Sequence, residues 1–183
     1  MSRLQLNQLT IKKLRFTNQI AVIFGAGRGI GKAIATRLSS EGAKLIIIDI
    51  LNEEIEQLKQ QILKSGGAVE AHTLDVSDEK NCNECIQKIY TAHKKIDILI
   101  NTVGIVGPSN CPIENYDLED FIHVINVNLV GAFIISKAVI PIMKERNFYI
   151  FPYDMRHCVY PFNSTNEIRR TLSCNMDVNY DPI

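Results

Sequence analysis

The stretch IAVIFGAGRGIGKAIATRL, residues 20–38, constrains this chain more than any other. A short apolar run rich in β-branched residues passes through a glycine-rich turn directly into an amphipathic pattern. Residues 20–24 read as a buried strand, and Ala33, Ile34, Ala35 and Leu38 suit one face of the helix that follows. Such a junction gathers several backbone N–H groups and the positive end of a helix dipole at one point, which suits a diphosphate. Gly25 suits the tight turn, Gly29 a close approach of the anion to the backbone, and Gly31 close packing of helix on strand. Arg28 and Ile30 stand between them in a G-x-x-x-G-x-G spacing. Gly25, Arg28, Gly29, Ile30 and Gly31 are therefore candidate cofactor-binding residues.

The same strand–helix alternation continues. KLIIIDI reads as a second buried strand. The next helix turns Ile55, Leu58, Ile62 and Leu63 inward and is stopped by Gly66 and Gly67. AVEAHTLDVSD supplies a third strand, with a helix after it that Ser77 is expected to cap. IDILINTVG is a fourth strand, and a long helix is predicted over about 117–145, kinked by Pro141. Asp117, Glu119 and Asp120 complement its dipole. Strands buried on both faces and joined by helices predict an α/β fold, a Rossmann-type doubly wound parallel sheet.

Asp49 ends the second strand, where a carboxylate accepts hydrogen bonds from adenosine ribose hydroxyls and repels a 2′-phosphate. That favours NAD over NADP, although Arg28 could pair with a 2′-phosphate and argues mildly the other way. The formal net charge of +0 gives no electrostatic case for nucleic acid or an anionic membrane as partner. No apolar run approaches the roughly 18 residues of a membrane span. Five sparse cysteines fit a reducing compartment. A cytoplasmic location is expected, with the basic, acid-free first 19 residues also compatible with a mitochondrial presequence. Cys82 and Cys85 have C-x-x-C spacing but fall mid-helix with no second pair nearby, so no metal site is expected. His72, within a strand, is expected to be a satisfied structural residue.

From about residue 15 to 146 the chain resembles the short-chain dehydrogenase/reductase family, in particular its ketoacyl-carrier-protein-reductase-like members. The resemblance rests on Gly25, Gly29 and Gly31, on Asp75-Val76 in LDVSD, on NTVG at 101–104, and on VINVNLVGAF around Asn128. It implies that Asp75 and Val76 meet the adenine, that Asn101 and Gly104 lie beside the nicotinamide ribose, and that Asn128 is a catalytic residue. It also implies a small carbonyl or alcohol substrate and a helix used in homo-oligomers. Two departures stand near the loop: Phe24 replaces the family's usual Thr, and Thr102-Val103 replace Asn-Ala.

The larger departure lies further on. The family's catalytic Ser and Tyr-x-x-x-Lys pair are expected beyond the long helix, yet no Lys follows Lys144. Tyr90 and Lys94 have the spacing but precede NTVG, so they read as an ordinary helix pair. Residues 1–15 read as an N-terminal extension, 16–146 as the NAD(P)-binding domain and 147–183 as an atypical tail. The tail lacks Gly and Ala, and the break fits a changed reading frame or missed exon boundary near Arg146. NFYIF could form a fifth strand. Without further strands IDILI would be an apolar edge, so the chain is expected to be marginally stable, dimeric or aggregation-prone. The function expected is NAD(H)-dependent carbonyl or alcohol oxidoreduction by family, inactive in this form; the alternative is a non-catalytic dinucleotide-binding fragment.

Overall fold

A computed structural model describes residues 14–143 with their side chains and residues 148–150 by backbone. The basic segment before Leu14 and the tail beyond Ile150 lie outside the described residues, so the expectations placed on them stay as stated above. Strand β1 (Ile20–Phe24) leads through the glycine loop to helix α1 (Gly29–Ser40). There follow β2 (Lys44–Asp49), α2 (Asn52–Lys64), β3 (Ala68–Thr73), α3 (Glu79–His93) and β4 (Ile98–Asn101). A long helix then comprises α4 (Leu118–Ile125), a π-helical segment (Asn126–Gly131) and α5 (Ala132–Val139). Strand β5 (Phe148–Ile150) closes the described sheet.

The order is β3-β2-β1-β4-β5, and every pairing is parallel. This is the doubly wound arrangement predicted from the sequence. NFYIF does supply a fifth strand: Ile98, Leu99 and Ile100 pair with Phe148, Tyr149 and Ile150. β4 is therefore interior, not the apolar edge expected of a sheet ending there.

Alternate residues of β1 serve two cores. Ile20, Val22 and Phe24 join Ile86 and Ile89 of α3 and Ile134, Ile135 and Val139 of α5. Ala21 and Ile23 join Ala35 and Leu38 of α1 and Ile55, Leu58 and Ile62 of α2. The period of two in the strand thus assigns each residue to one helical layer.

Five expectations need correction. Ala33 is exposed and Gly31 takes its place on the inner face of α1, because helix and strand meet too closely there for a larger residue. Leu63 is 45% exposed, one position round from buried Ile62. Asp78, not Ser77, caps α3: its carboxylate accepts from Asn81 N at 3.0 Å, while Ser77 donates to Asp75. The long helix ends at Val139, before Pro141, so no kinked extension forms among the described residues. By length and composition Leu118–Val139 could cross a membrane, which corrects the expectation that nothing here approaches that size. Its inner face is core, but Phe121, Leu129 and Phe133 are more than half exposed.

Glu41, following α1, is 5% exposed and binds the guanidinium groups of both Arg15 and Arg37. Its backbone carbonyl also accepts from Phe16 N at 3.0 Å, tying the entry segment down. Hydrogen bonds from Arg15 and Arg37 hold its carboxyl at about 2, against an ordinary 4.5. A depressed carboxyl contributes stability that is complete above the unfolded value and is lost as pH falls through the folded one. E41Q should therefore melt below the wild type at pH 7, with the gap closing between pH 5 and pH 2. Thermal melts of both proteins across that range check it; a gap as wide at pH 2 as at pH 7 contradicts the clamp.

Candidate functional site

Chain direction changes at β1. The chain leaves β1 for β2 on one side, while β4 pairs with β1 on the other. The crevice beyond the carboxyl ends of β1 and β4 is where a parallel sheet of this kind takes ligands. Gly25 to Gly31 follow β1 there, Asp49 ends β2, Asp75 and Val76 follow β3, and Asn101 to Gly104 follow β4. The candidate cofactor-binding residues lie on or beside this rim, and Asn128 lies next to Gly104.

The glycine loop is fixed by contacts that only glycine permits. Gly25 has φ +77, and a Cβ there would lie 2.8 Å from Thr102 C and Val103 N. Its N–H donates to Ile48 O of β2 at 2.8 Å. Gly31 packs against Gly25 O so closely that a Cβ would overlap it, and would lie 2.5 Å from Thr102 Oγ1. Gly29 has φ +54 and nothing within 4 Å of the side-chain position, so it leaves open space.

Helix α1 differs from its neighbours at its amino end. Its N-cap, Arg28, makes no side-chain cap bond, and its first turn holds no acid. By contrast α2 begins with Glu53 and Glu54, α3 is capped by Asp78 beside Glu79, and α4 is capped by Asp117 beside Glu119 and Asp120. Those helices supply their own negative charge; α1 keeps its N–H groups and dipole free for an anion. Gly29, with open space at its side-chain position and exposed Ile30 next to it, leaves this helix end accessible to an anion.

Asp49 turns back on the loop. Oδ2 accepts from Gly27 N at 2.8 Å and Oδ1 from Leu51 N at 3.1 Å. Each oxygen keeps a lone pair for a further donor. Arg28, the residue after Gly27, is exposed. Asp75 accepts from Ser77 N at 2.9 Å and is exposed, while Val76 is buried against the long helix, where a Cβ on Gly131 would meet its Cγ2 at 2.7 Å. Asn101, 6% exposed, accepts from Val103 N at 3.0 Å, and Gly104 lies next to Asn128.

Asn128 lies in the π-helical segment, a geometry that recurs at functional sites. Oδ1 accepts from Ile105 N at 2.8 Å and Nδ2 donates to Ile105 O at 2.9 Å. Both ends of the amide are thus engaged with one residue of the loop after β4. Neither the π segment nor the role of Ile105 was foreseen from the sequence; Thr102 was noted only as a departure. Its hydroxyl shares its one proton between Phe24 O at 2.9 Å and Gly25 O at 3.1 Å.

Other candidates lie elsewhere. Lys94 is the left-handed cap of α3, so Tyr90 and Lys94 are at the start of β4, the opposite end of the sheet from the glycine loop. Cys82 is buried on α3, and burial pushes its thiol up to about 12. Cys85 is likewise raised by burial. Among the described residues no three His, Cys, Asp or Glu side chains are grouped to hold a metal. His72 was expected to be satisfied, but its buried Nε2 has no partner among the described residues, and burial lowers its pKa.

The family profile described as short chain dehydrogenase matches residues 19–148, well over half of the chain. The protein belongs to that family. It is 40% identical over 131 residues to the uncharacterized oxidoreductase YxbG of Bacillus subtilis, covering 72% of this chain and 48% of that one. It is 34% identical over 135 residues to a 3-oxoacyl-[acyl-carrier-protein] reductase, FabG, of Thermotoga maritima, covering 73% and 54%. Among solved structures, NAD+-bound xylitol dehydrogenase matches with TM-score 0.71 and 28% identity over 75% of this chain and 53% of that one. A metagenomic short-chain oxidoreductase in complex with NADP matches with TM-score 0.70 and 30% identity over 74% and 62%. The chain spans about half the length of the curated relatives it matches.

The geometry predicts different outcomes at two glycines. G29A places a side chain in open space and should lose only the cost of a left-handed residue, about 1–2 kcal/mol. G25A adds a collision with the backbone of residues 102 and 103, and should lose several-fold more stability or fail to fold. Urea unfolding of the two variants decides it; equal losses would show that the loop simply yields at Gly25.

Proposed function

We propose that this chain is a dinucleotide-binding unit of the short-chain dehydrogenase type, which holds NAD(H) in preference to NADP(H). The observation that carries the reading is the amino end of α1, without cap or acid, opening at the crevice between β1 and β4. Gly29, Ile30 and Gly31 would hold the diphosphate through backbone N–H groups, and Asp49 would accept from the adenosine ribose. Asp75 and Val76 would border the adenine, and Asn101 and Gly104 the nicotinamide ribose. The nicotinamide supplies or takes a hydride in this family's oxidation of alcohols and reduction of carbonyls. Asn128 would act here as a positioning residue, since its amide holds the Ile105 segment against the helix.

Turnover is not expected of this 183-residue chain. A proton at the substrate oxygen has to come from a positioned acid, and no Lys follows Lys144 to complete a Tyr-x-x-x-Lys pair there. The non-catalytic reading is therefore preferred to an active oxidoreductase. The exposed Phe121, Leu129 and Phe133 further lead us to expect self-association rather than a free monomer.

Fluorescence titration with NADH and NADPH, followed by a ketone-reduction assay, tests the reading. NADH should bind more tightly than NADPH, without turnover. D49N should weaken NADH by about tenfold, near 1.4 kcal/mol, and narrow the preference. Absence of NADH binding would overturn the dinucleotide assignment, and ketone reduction would overturn the non-catalytic one.

A further inference from the structure

Phe24 occupies the last position of β1, and its side chain is fully buried in the core shared with α3 and α5. β1 therefore offers no hydroxyl to the glycine loop that follows. The hydroxyl comes instead from the neighbouring strand. Thr102 Oγ1, just past β4, shares its proton between Phe24 O and Gly25 O, while Thr102 N donates to Phe24 O at 3.0 Å. Gly25 is thus held from two sides, by Ile48 of β2 through its N–H and by Thr102 through its carbonyl. The same oxygen borders the gap that Gly31 leaves at the start of α1. One half-buried atom touches the strand end, the loop and the helix start together.

We propose that Thr102 is the positioning residue of the dinucleotide site, its hydroxyl fixing the path of Gly25–Gly29 and so the aim of the α1 N–H groups. This rests on the dinucleotide reading above. The two departures at the loop then form one exchange: the hydroxyl absent at Phe24 is supplied across the sheet by Thr102. Valine keeps the shape of threonine but cannot donate, and serine keeps the donor while losing the methyl group.

Two measurements on the full chain test it: NADH titration by fluorescence, and hydrogen exchange of the backbone amides at 25–31. T102V should bind NADH about tenfold more weakly. It should also exchange faster across the loop, with β2 and β3 unchanged. T102S should recover both. If T102V does not fold, T102A compared with T102S carries the same contrast. Unchanged exchange and binding in T102V, or a T102S variant no better than T102V, would overturn the proposal. If the wild type itself binds no NADH, the dinucleotide reading fails first. Exchange then decides separately whether Thr102 anchors the loop: faster exchange in T102V supports it, and unchanged exchange overturns it.

Discussion

Strand β1 has to be covered on both faces and paired on both edges, and the rest of the fold answers that requirement. All five of its residues are buried, and consecutive ones belong to different cores. One face takes α1 and α2, the other α3 and the long helix. With β2 and β4 parallel on its two sides, backbone groups in the strand are satisfied by neighbours rather than by water. The chain must then leave β1 and reach β4 from opposite directions, and right-handed crossovers send the connecting helices to opposite layers. What is left between the carboxyl ends of β1 and β4 is a crevice that no crossover covers. The location of the site is thus a consequence of burying one central strand.

The long helix contributes in a less obvious way. Gly131 closes its π-helical segment, and Val76 from beyond β3 packs against that glycine. Asn128, within the segment, uses both polar atoms on Ile105. An inserted residue in a helix changes which side chains face inward, and here it lets one helix meet the loops after β3 and β4 at once. These loops border the crevice from its far side. A regular α-helix through the same residues would carry Asn128 and Gly131 to different angular positions, so the widened turn is part of how the rim is assembled.

How much of this was legible in the sequence depends on the range of the interaction. IAVIF, KLIIIDI and IDILI read as buried strands because a parallel strand covered on both faces is apolar throughout. The glycine loop was legible because its glycines sit between a strand and a helix. Boundaries and partners were not. Ser77 and Asp78 are both capable caps, and Asp75 decides between them by engaging Ser77. Ile62 and Leu63 are adjacent apolar residues, and only the rotation of α2 against the sheet says which is buried. The π-helical segment leaves no periodic signature over six residues. Thr102 lies 78 residues from Phe24, so its hydrogen bond to that strand end is visible only once β1 and β4 are side by side.

Asp49 shows how specificity and architecture become coupled at such a site. In a simple reading it is a carboxylate placed to greet a ribose and repel a phosphate. In the structure it also closes the glycine loop, accepting from Gly27 N, and starts the segment into α2, accepting from Leu51 N. A Cβ on Gly27 would come within 3.0 Å of its Oδ2, so the loop is folded directly onto the carboxylate. Replacing it with a residue that welcomes a 2′-phosphate would remove a repulsive charge and also release two backbone donors that shape the cradle. Charge-assisted bonds of this kind are among the stronger polar contacts available to a loop. On the proposed dinucleotide reading, relaxing the nucleotide preference at this position would also loosen the glycine loop, so a change of cofactor would need compensating donors elsewhere in the loop.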